Sequence, residues 1–318
     1  MTRKWDKLLL AVAVLLLPAA FAADLQAQAG HSGLSGQSVP AFSGQRAYED
    51  IRHLVAFGPR PPGSPALAES RQWIIRELQA DGCAVEQDTF TAPTPMGNID
   101  MDNIIVKIPG ERQSVVMLAG HYDTKLFKDF RFVGANDGGS SAAFLMEMGR
   151  DLCRGHKYKF TTWLVFFDGE EAIQQEMSST DGTYGSRHLE QKLAADGELD
   201  RIQAMILVDM IGDKNLDIRR DDNSTGWLNN LLFKTADRLD YSRYFLKGES
   251  LAVGDDHTPF IEAGVSAVDI IDFDYGPNNS YWHSAGDTLD HCSPASLEIV
   301  GRVVSAILGE LDRSPRIK

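Results

Sequence analysis

Glu170 and Glu171 stand side by side in the stretch Asp168-Gly169-Glu170-Glu171. Neighbouring side chains point in different directions, so one carboxylate can bind a metal ion while the other faces a substrate. The free one can carry a proton between a nucleophile and a leaving group, provided that burial or nearby acids raise its pKa. Asp209 and Asp255 are the acids expected to share hydrogen bonds with it and tune it. His121 in His121-Tyr122-Asp123, Asp137 in Gly134-Ala135-Asn136-Asp137-Gly138-Gly139 and His283 in Tyr281-Trp282-His283 add further oxygen and imidazole donors. Each has an ordinary role open to it. Asp137 would cap a helix beginning near Ser140, and Glu170 with Glu171 would be first-turn acids favoured by a helix dipole. His121 would be a hydrogen-bonded core histidine, and Asp209 would bond a neighbouring loop. The conjunction is the informative part. Oxygen and imidazole ligands with almost no cysteine suit zinc held by Asp, Glu and His with one position left open.

The elements around these residues explain why they would meet. Val115–Ala119, Thr162–Phe167 and Met205–Asp209 are nearly all apolar and read as buried strands. Each runs directly into the charged groups: His121 and Asp123, then Asp168 to Glu171, then Asp209. Ligands of open α/β sheets bind outside the carboxyl ends of the strands. Acids just past buried strands are costly unless compensated, and a metal ion compensates them well. Further strands are expected at Val85–Thr91, Asn103–Ile108 and Val265–Ile271, and helices at about 140–152, 184–195, 225–240 and 294–312. Two helices precede them. One carries Ile51, Leu54 and Val55 up to the Gly58–Gly63 turn; the other carries Leu67, Trp73, Ile74 and Leu78 and ends near Gly82. With no repeat and no linker after residue 45, the chain reads as one three-layer α/β/α domain over 46–318 with a mixed, largely parallel sheet.

Bulk properties bound the function. The 318 residues are 43% hydrophobic and 24% charged, as in soluble globular proteins. The net charge of −14 argues against nucleic-acid binding, which needs a basic face, and tolerates peptides bearing a cationic amino terminus. Arg3, Lys4 and Lys7, the apolar run Leu8–Leu17 and Ala20-Phe21-Ala22 form a signal-peptide pattern over 1–23. The run is short for a membrane span of about 20 residues, so an exported protein, periplasmic or secreted, with no stable span after cleavage is expected. Residues 24–45, rich in Gly, Ser, Gln and Ala, read as a flexible leader. Three cysteines, Cys83, Cys153 and Cys292, allow one disulfide plus a free thiol, or buried single thiols.

At these residues the chain resembles the zinc-dependent exopeptidase superfamily, which contains aminopeptidases and animal-type glutaminyl cyclases. The shared signals are Gly58-Pro59-Arg60, HYD at 121–123, GAND at 134–137, DGEE at 168–171 and VDMIG at 208–212. HYDTKLF (121–127), FFDGEEA (166–172), YGSRHL (184–189), GDDHTPF (254–260) and WH (282–283) look like cyclase segments. The resemblance implies one zinc on Asp137, Glu171 and His283, with Glu170 as acid/base and Asp209 and Asp255 in its network. Trp282 would wall the substrate's glutamine side chain. The implied reaction is cyclisation of the N-terminal glutamine of peptides or proteins to pyroglutamate with loss of ammonia. The animal pattern is departed from in two respects: Glu176 stands where those enzymes carry tryptophan, and Gly120 and Ala142 replace a cysteine pair. The alternative is a two-zinc aminopeptidase, with His121 and Asp209 holding a second zinc bridged by Asp137. A non-catalytic binding module on the same fold is the third reading, and it would be expected to have lost a ligand or Glu170.

Overall fold

The computed structural model describes residues 42–155 and 158–317. The expected signal peptide and nearly all of the expected leader lie outside them. Ordered helix begins slightly ahead of residue 46: α1 (Gly44–Phe57) starts at Gly44 because the Ser43 side chain accepts from Arg46 N and caps it. It stops at Gly58, whose positive φ and following proline cannot continue a helix. Ser64 and Pro65 open α2 (Pro65–Ala80) in the same economical way. A hairpin follows, β1 (Val85–Thr94) and β2 (Gly97–Ile108), both longer than the apolar residues alone suggested. The extra length is held by hairpin pairing, with Ala92 and Met101 buried against Tyr184.

The rest alternates. β3 (Val115–His121) leads through a loop to α3 (Gly139–Leu152), β4 (Thr161–Phe167) to α4 (Tyr184–Ala195), and β5 (Ile202–Asp209) to α5 (Gly226–Arg238). A short α6 (His257–Glu262), too brief to show a periodic apolar stripe, precedes β6 (Ala267–Ile271), and α7 (Pro294–Arg313) closes the order. Among the described residues the sheet runs β1-β2-β4-β3-β5-β6. β3, β4, β5 and β6 are parallel, and the β1–β2 hairpin joins antiparallel through β2 and β4. This is the expected α/β architecture with a mixed, largely parallel sheet.

Alternation along each strand makes three layers. Val116, Leu118, Ile206, Val208 and Ile270 face one core, under α1, α2, α3, α5 and α7. Val115, Met117, Ala119, Met205 and Leu207 face the other, which Leu189 of α4 and Phe260 of α6 cover. The chain passes from β3 to β4 on one side and crosses back to β5 on the other, so the sheet reverses its winding at β3. A crevice opens at the carboxyl ends of strands at such a reversal.

Cys83, just before β1, is disulfide-bonded to Cys153 at the end of α3, with a Cα–Cα distance of 5.2 Å, and Cys292 is a buried free thiol. The bond closes a loop of 70 residues. Loop-closure entropy gives such a link a worth of about 4 kcal/mol. The double variant Cys83→Ala/Cys153→Ala is therefore expected to unfold at distinctly lower denaturant with an intact fold. Equilibrium denaturation would show it, and an unchanged midpoint would mean that the bond adds nothing to stability.

Candidate metal centre

The site is assembled from strand ends. His121 is the last residue of β3 and Asp209 the last of β5. Glu170 and Glu171 follow β4 after a turn at Gly169, whose φ is +70° and where a Cβ would lie 2.6 Å from the Met101 sulfur. Asp137 precedes α3, and His283 lies in the loop after β6. Asp137 does not cap α3: the cap residue is Gly138, with no side-chain cap bond. Gly138 has φ +76°, and a Cβ there would sit 2.3 Å from the Asp123 carbonyl oxygen, so only glycine lets Asp137 turn inward. Nor do the two glutamates begin a helix, since α4 starts only at Tyr184.

Two triads share Asp137. His283 Nε2 lies 3.3 Å from Asp137 Oδ2 and 3.1 Å from Glu171 Oε1. On the other side His121 Nε2 lies 3.3 Å from Asp137 Oδ1 and 3.1 Å from Asp209 Oδ1. Within each triad the donor atoms lie within 4.8 Å of one another. Asp137 Oδ2 is buried and has no well-aligned hydrogen bond among the described residues, its ion-pair partner being the His283 ring 3.3 Å away. A buried carboxylate oxygen left so is costly, and a cation between Asp137, Glu171 and His283 would satisfy it.

Charge tells the same story. Burial alone would lower the pKa of His283, but Glu171 and Asp137 overcome it and raise it to about 10. His121 is also raised well above its usual value, burial being overcome by Asp209, Asp123 and Asp137. Asp137 falls below the ordinary carboxylate range; burial opposes this, and His121 and His283 prevail. The acids thus hold positive charge in their midst, which a divalent cation supplies at least as well. Glu170 behaves differently. Burial first, and then the charge of Asp255, lift it well above the usual range. Asp255 is pushed up to about 7 by burial and by Asp209. The coupling among these three is electrostatic: Asp209 Oδ1 accepts from Ser141 Oγ and Met210 N, and Asp255 Oδ1 from Asp256 N.

Asp137, Glu170, Glu171, Asp209, Asp255 and His283 line a cleft of about 310 Å³. Trp282 forms one wall, stacked on His283 at 4.1 Å and tilted against Phe273 at 5.0 Å. Phe127 and Phe132 meet the His283 ring edge-on. Glu176 and Met177, both exposed, stand at the lip.

Three buried residues hold the ligands in place: Asp123, which the sequence places only among the charged groups at strand ends, and Lys125 and Asp287, to which it assigns no role. Asp123 accepts from Glu170 N at 3.2 Å and Glu171 N at 3.3 Å. Lys125 Nζ lies 3.5 Å from Glu171 Oε2 and donates to Ala172 O. Asp287 accepts from the amides of residues 135–137. Asp168, though part of the acidic stretch, faces away and accepts from Asp102 N and Tyr122 Oη. The signal for Asp123 and Lys125 in the sequence is their place in the HYDTKLF segment that begins at His121.

A family model described as Peptidase family M28 matches residues 103–308. The chain is similar to a glutaminyl-peptide cyclotransferase-like protein of Bos taurus, 31% identical over 79% of this chain and 72% of the relative. Among solved structures it is similar to an Acidobacteriales bacterium glutaminyl cyclase, at 45% identity and a TM-score of 0.83, covering 88% of this chain and 99% of the other. It is also similar to the Porphyromonas gingivalis glutaminyl cyclase, at 29% identity and a TM-score of 0.78, covering 85% and 98%.

Proposed function

The chain belongs to peptidase family M28, and from that premise we propose that it is a glutaminyl-peptide cyclotransferase, converting the N-terminal glutamine of peptides or proteins to pyroglutamate with release of ammonia. The observation that carries this reading is the 45% identity to a glutaminyl cyclase over nearly its whole length. The catalytic metal is one zinc per chain on Asp137, Glu171 and His283; two carboxylates and one imidazole leave the open position of a catalytic zinc site. When bound, the zinc supplies a Lewis acid for the γ-carbonyl of the substrate.

The chain's own groups do the remainder. Glu170 takes a proton from the substrate's α-amine and returns it to the departing ammonia; its raised pKa suits both halves of that task. Burial and the charge of Asp255 keep it raised, and Asp209 acts in turn on Asp255. Trp282 confines the folded side chain, and holding amine and carbonyl together is a large part of the work in an intramolecular attack. Export is supported by the N-terminal pattern and by the Cys83–Cys153 disulfide, a bond of oxidising compartments. No helix of the described residues is long and apolar enough to cross a membrane.

Mass spectrometry of a Gln-initiated peptide tests the reading: loss of one ammonia, abolished by a chelator, is expected. Release of free amino acids without pyroglutamate would overturn it in favour of a two-zinc aminopeptidase. That second reading has one specific support, the grouping of His121, Asp137 and Asp209 within 4.8 Å.

The lip yields a further expectation. Glu176→Trp supplies an aromatic surface where the cleft now carries an exposed carboxylate. KM for Gln-initiated peptides is expected to fall about two- to tenfold, the range of one added aromatic contact, with kcat little changed. Steady-state kinetics decides it, and a loss of kcat would assign Glu176 a part in the chemistry.

A further inference from the structure

We propose that Asp287 is a positioning residue that ties the loop bearing His283 to the loop bearing Asp137, so that two of the three metal ligands move as one unit. The proposal rests on the zinc reading but not on the cyclisation reading. Asp287 lies four residues after His283 and is 1% exposed. Its Oδ1 accepts from Ala135 N at 3.1 Å, Asn136 N at 2.8 Å and Tyr275 Oη at 3.0 Å. Its Oδ2 accepts from Asp137 N at 3.1 Å. Three successive amides converging on one anion form a nest, and here the anion is the protein's own.

The two ends of this tie are stiff. On one side the fully buried Arg60 donates to Val133 O at 2.8 Å and Gly134 O at 3.0 Å. Carbonyls 133–134 are thus held by a cation and amides 135–137 by an anion. On the other side Asp287 N donates to Ser284 O and Gly286 N to Ser284 Oγ, a tight turn that fixes the distance back to His283. His283 itself holds φ +49°, a left-handed conformation that costs energy and persists only where the surroundings impose it. Metal affinity depends on ligands being held in place before the ion arrives. Without the Asp287 tie, Asp137 and His283 would be related mainly by the contact between their own side chains.

Asparagine separates this role from general stability. It has the same shape and keeps one acceptor oxygen for Ala135, Asn136 and Tyr275, but turns an N–H₂ toward Asp137 N. The test loads the full chain with zinc and follows zinc release to excess chromophoric chelator, alongside the thermal midpoint of the metal-free protein. Asp287→Asn is expected to release zinc about 10- to 100-fold faster, as for the loss of an outer-sphere partner. Tyr275→Phe, which removes one donor from Oδ1, is expected to speed release about two- to tenfold. If the Asn variant does not fold, the Tyr275→Phe result decides alone. Zinc release at the wild-type rate overturns the positioning role, whatever happens to the metal-free midpoint. A wild-type chain that takes up no zinc overturns the metal reading and this one together.

Discussion

Glu170→Gln is expected to lower kcat by about 10²- to 10⁴-fold, the usual cost of removing a general acid–base group, while zinc content stays at the wild-type value. The substitution keeps the shape of a side chain that is 8% exposed, so it opens no cavity. It removes only the ability to gain and lose a proton. Glu170 is not a member of either triad of donor atoms, so the metal keeps its ligands. Stability should not fall either. The carboxyl is held above its ordinary range by burial and by repulsion from Asp255, a cost of folding that the neutral amide does not incur. KM should change little, since the lost interaction belongs to proton transfer rather than to binding. Ammonia release at saturating substrate, with metal analysis of the same sample, measures both quantities. A variant that cyclises at the wild-type rate would mean that the proton travels by another group, and Asp255 and Asp209, which line the same cleft, are the candidates to test in its place.

How much of this was legible in the sequence follows from where each signal lies. The three apolar strands announced themselves because burial on both faces leaves nothing but apolar residues, and the charged groups directly beyond them marked the site. The tip of the hairpin, residues 92–94 and 97–102, carries a proline, a glycine and two aspartates in place of a continuous apolar run, so its residue types do not mark it as strand. Six-residue α6 left no period to read. The pairing of Cys83 with Cys153 joins positions 70 apart, and three cysteines alone do not choose among partners. The deeper gap concerns Asp123 and Asp287. Each acts on backbone amides far along the chain, 47 and 48 residues away for Asp123 and 150 to 152 for Asp287. A bond to an amide leaves no mark on the identity of the partner residue, so only the folded arrangement reveals it. Reading side chains found the groups that face the cleft and passed over those that hold the backbone behind them.

His283→Ala is expected to weaken zinc binding by roughly a hundred- to a thousandfold, one ligand's share of a site worth about 10–16 kcal/mol, and to abolish chelator-sensitive turnover at limiting metal. The metal-free protein should suffer too, for a separate reason. In it the protonated ring is the charge that separates Glu171 from Asp137. Deleting one partner of a buried ion pair costs about 3–5 kcal/mol, and alanine is also a poorer residue than histidine at φ +49°. A second variant, His283→Gly, removes that backbone penalty and isolates the loss of the ring. The sign of the pH dependence follows from the raised pKa. The ring's pKa is about 10 when folded, against an ordinary value near 6.5 when unfolded. Its contribution to the metal-free protein is therefore complete below pH ~6.5 and lost as pH rises through about 10. The wild type should lose stability across that window where the Ala variant does not. Zinc competes with the same proton, so its affinity for the wild type should climb over the same range. Denaturation of the metal-free proteins at several pH values, paired with zinc titrations, separates the two effects. Equal zinc affinity in the wild type and both variants would remove His283 from the ligand set and leave the triad of His121, Asp137 and Asp209 as the metal site.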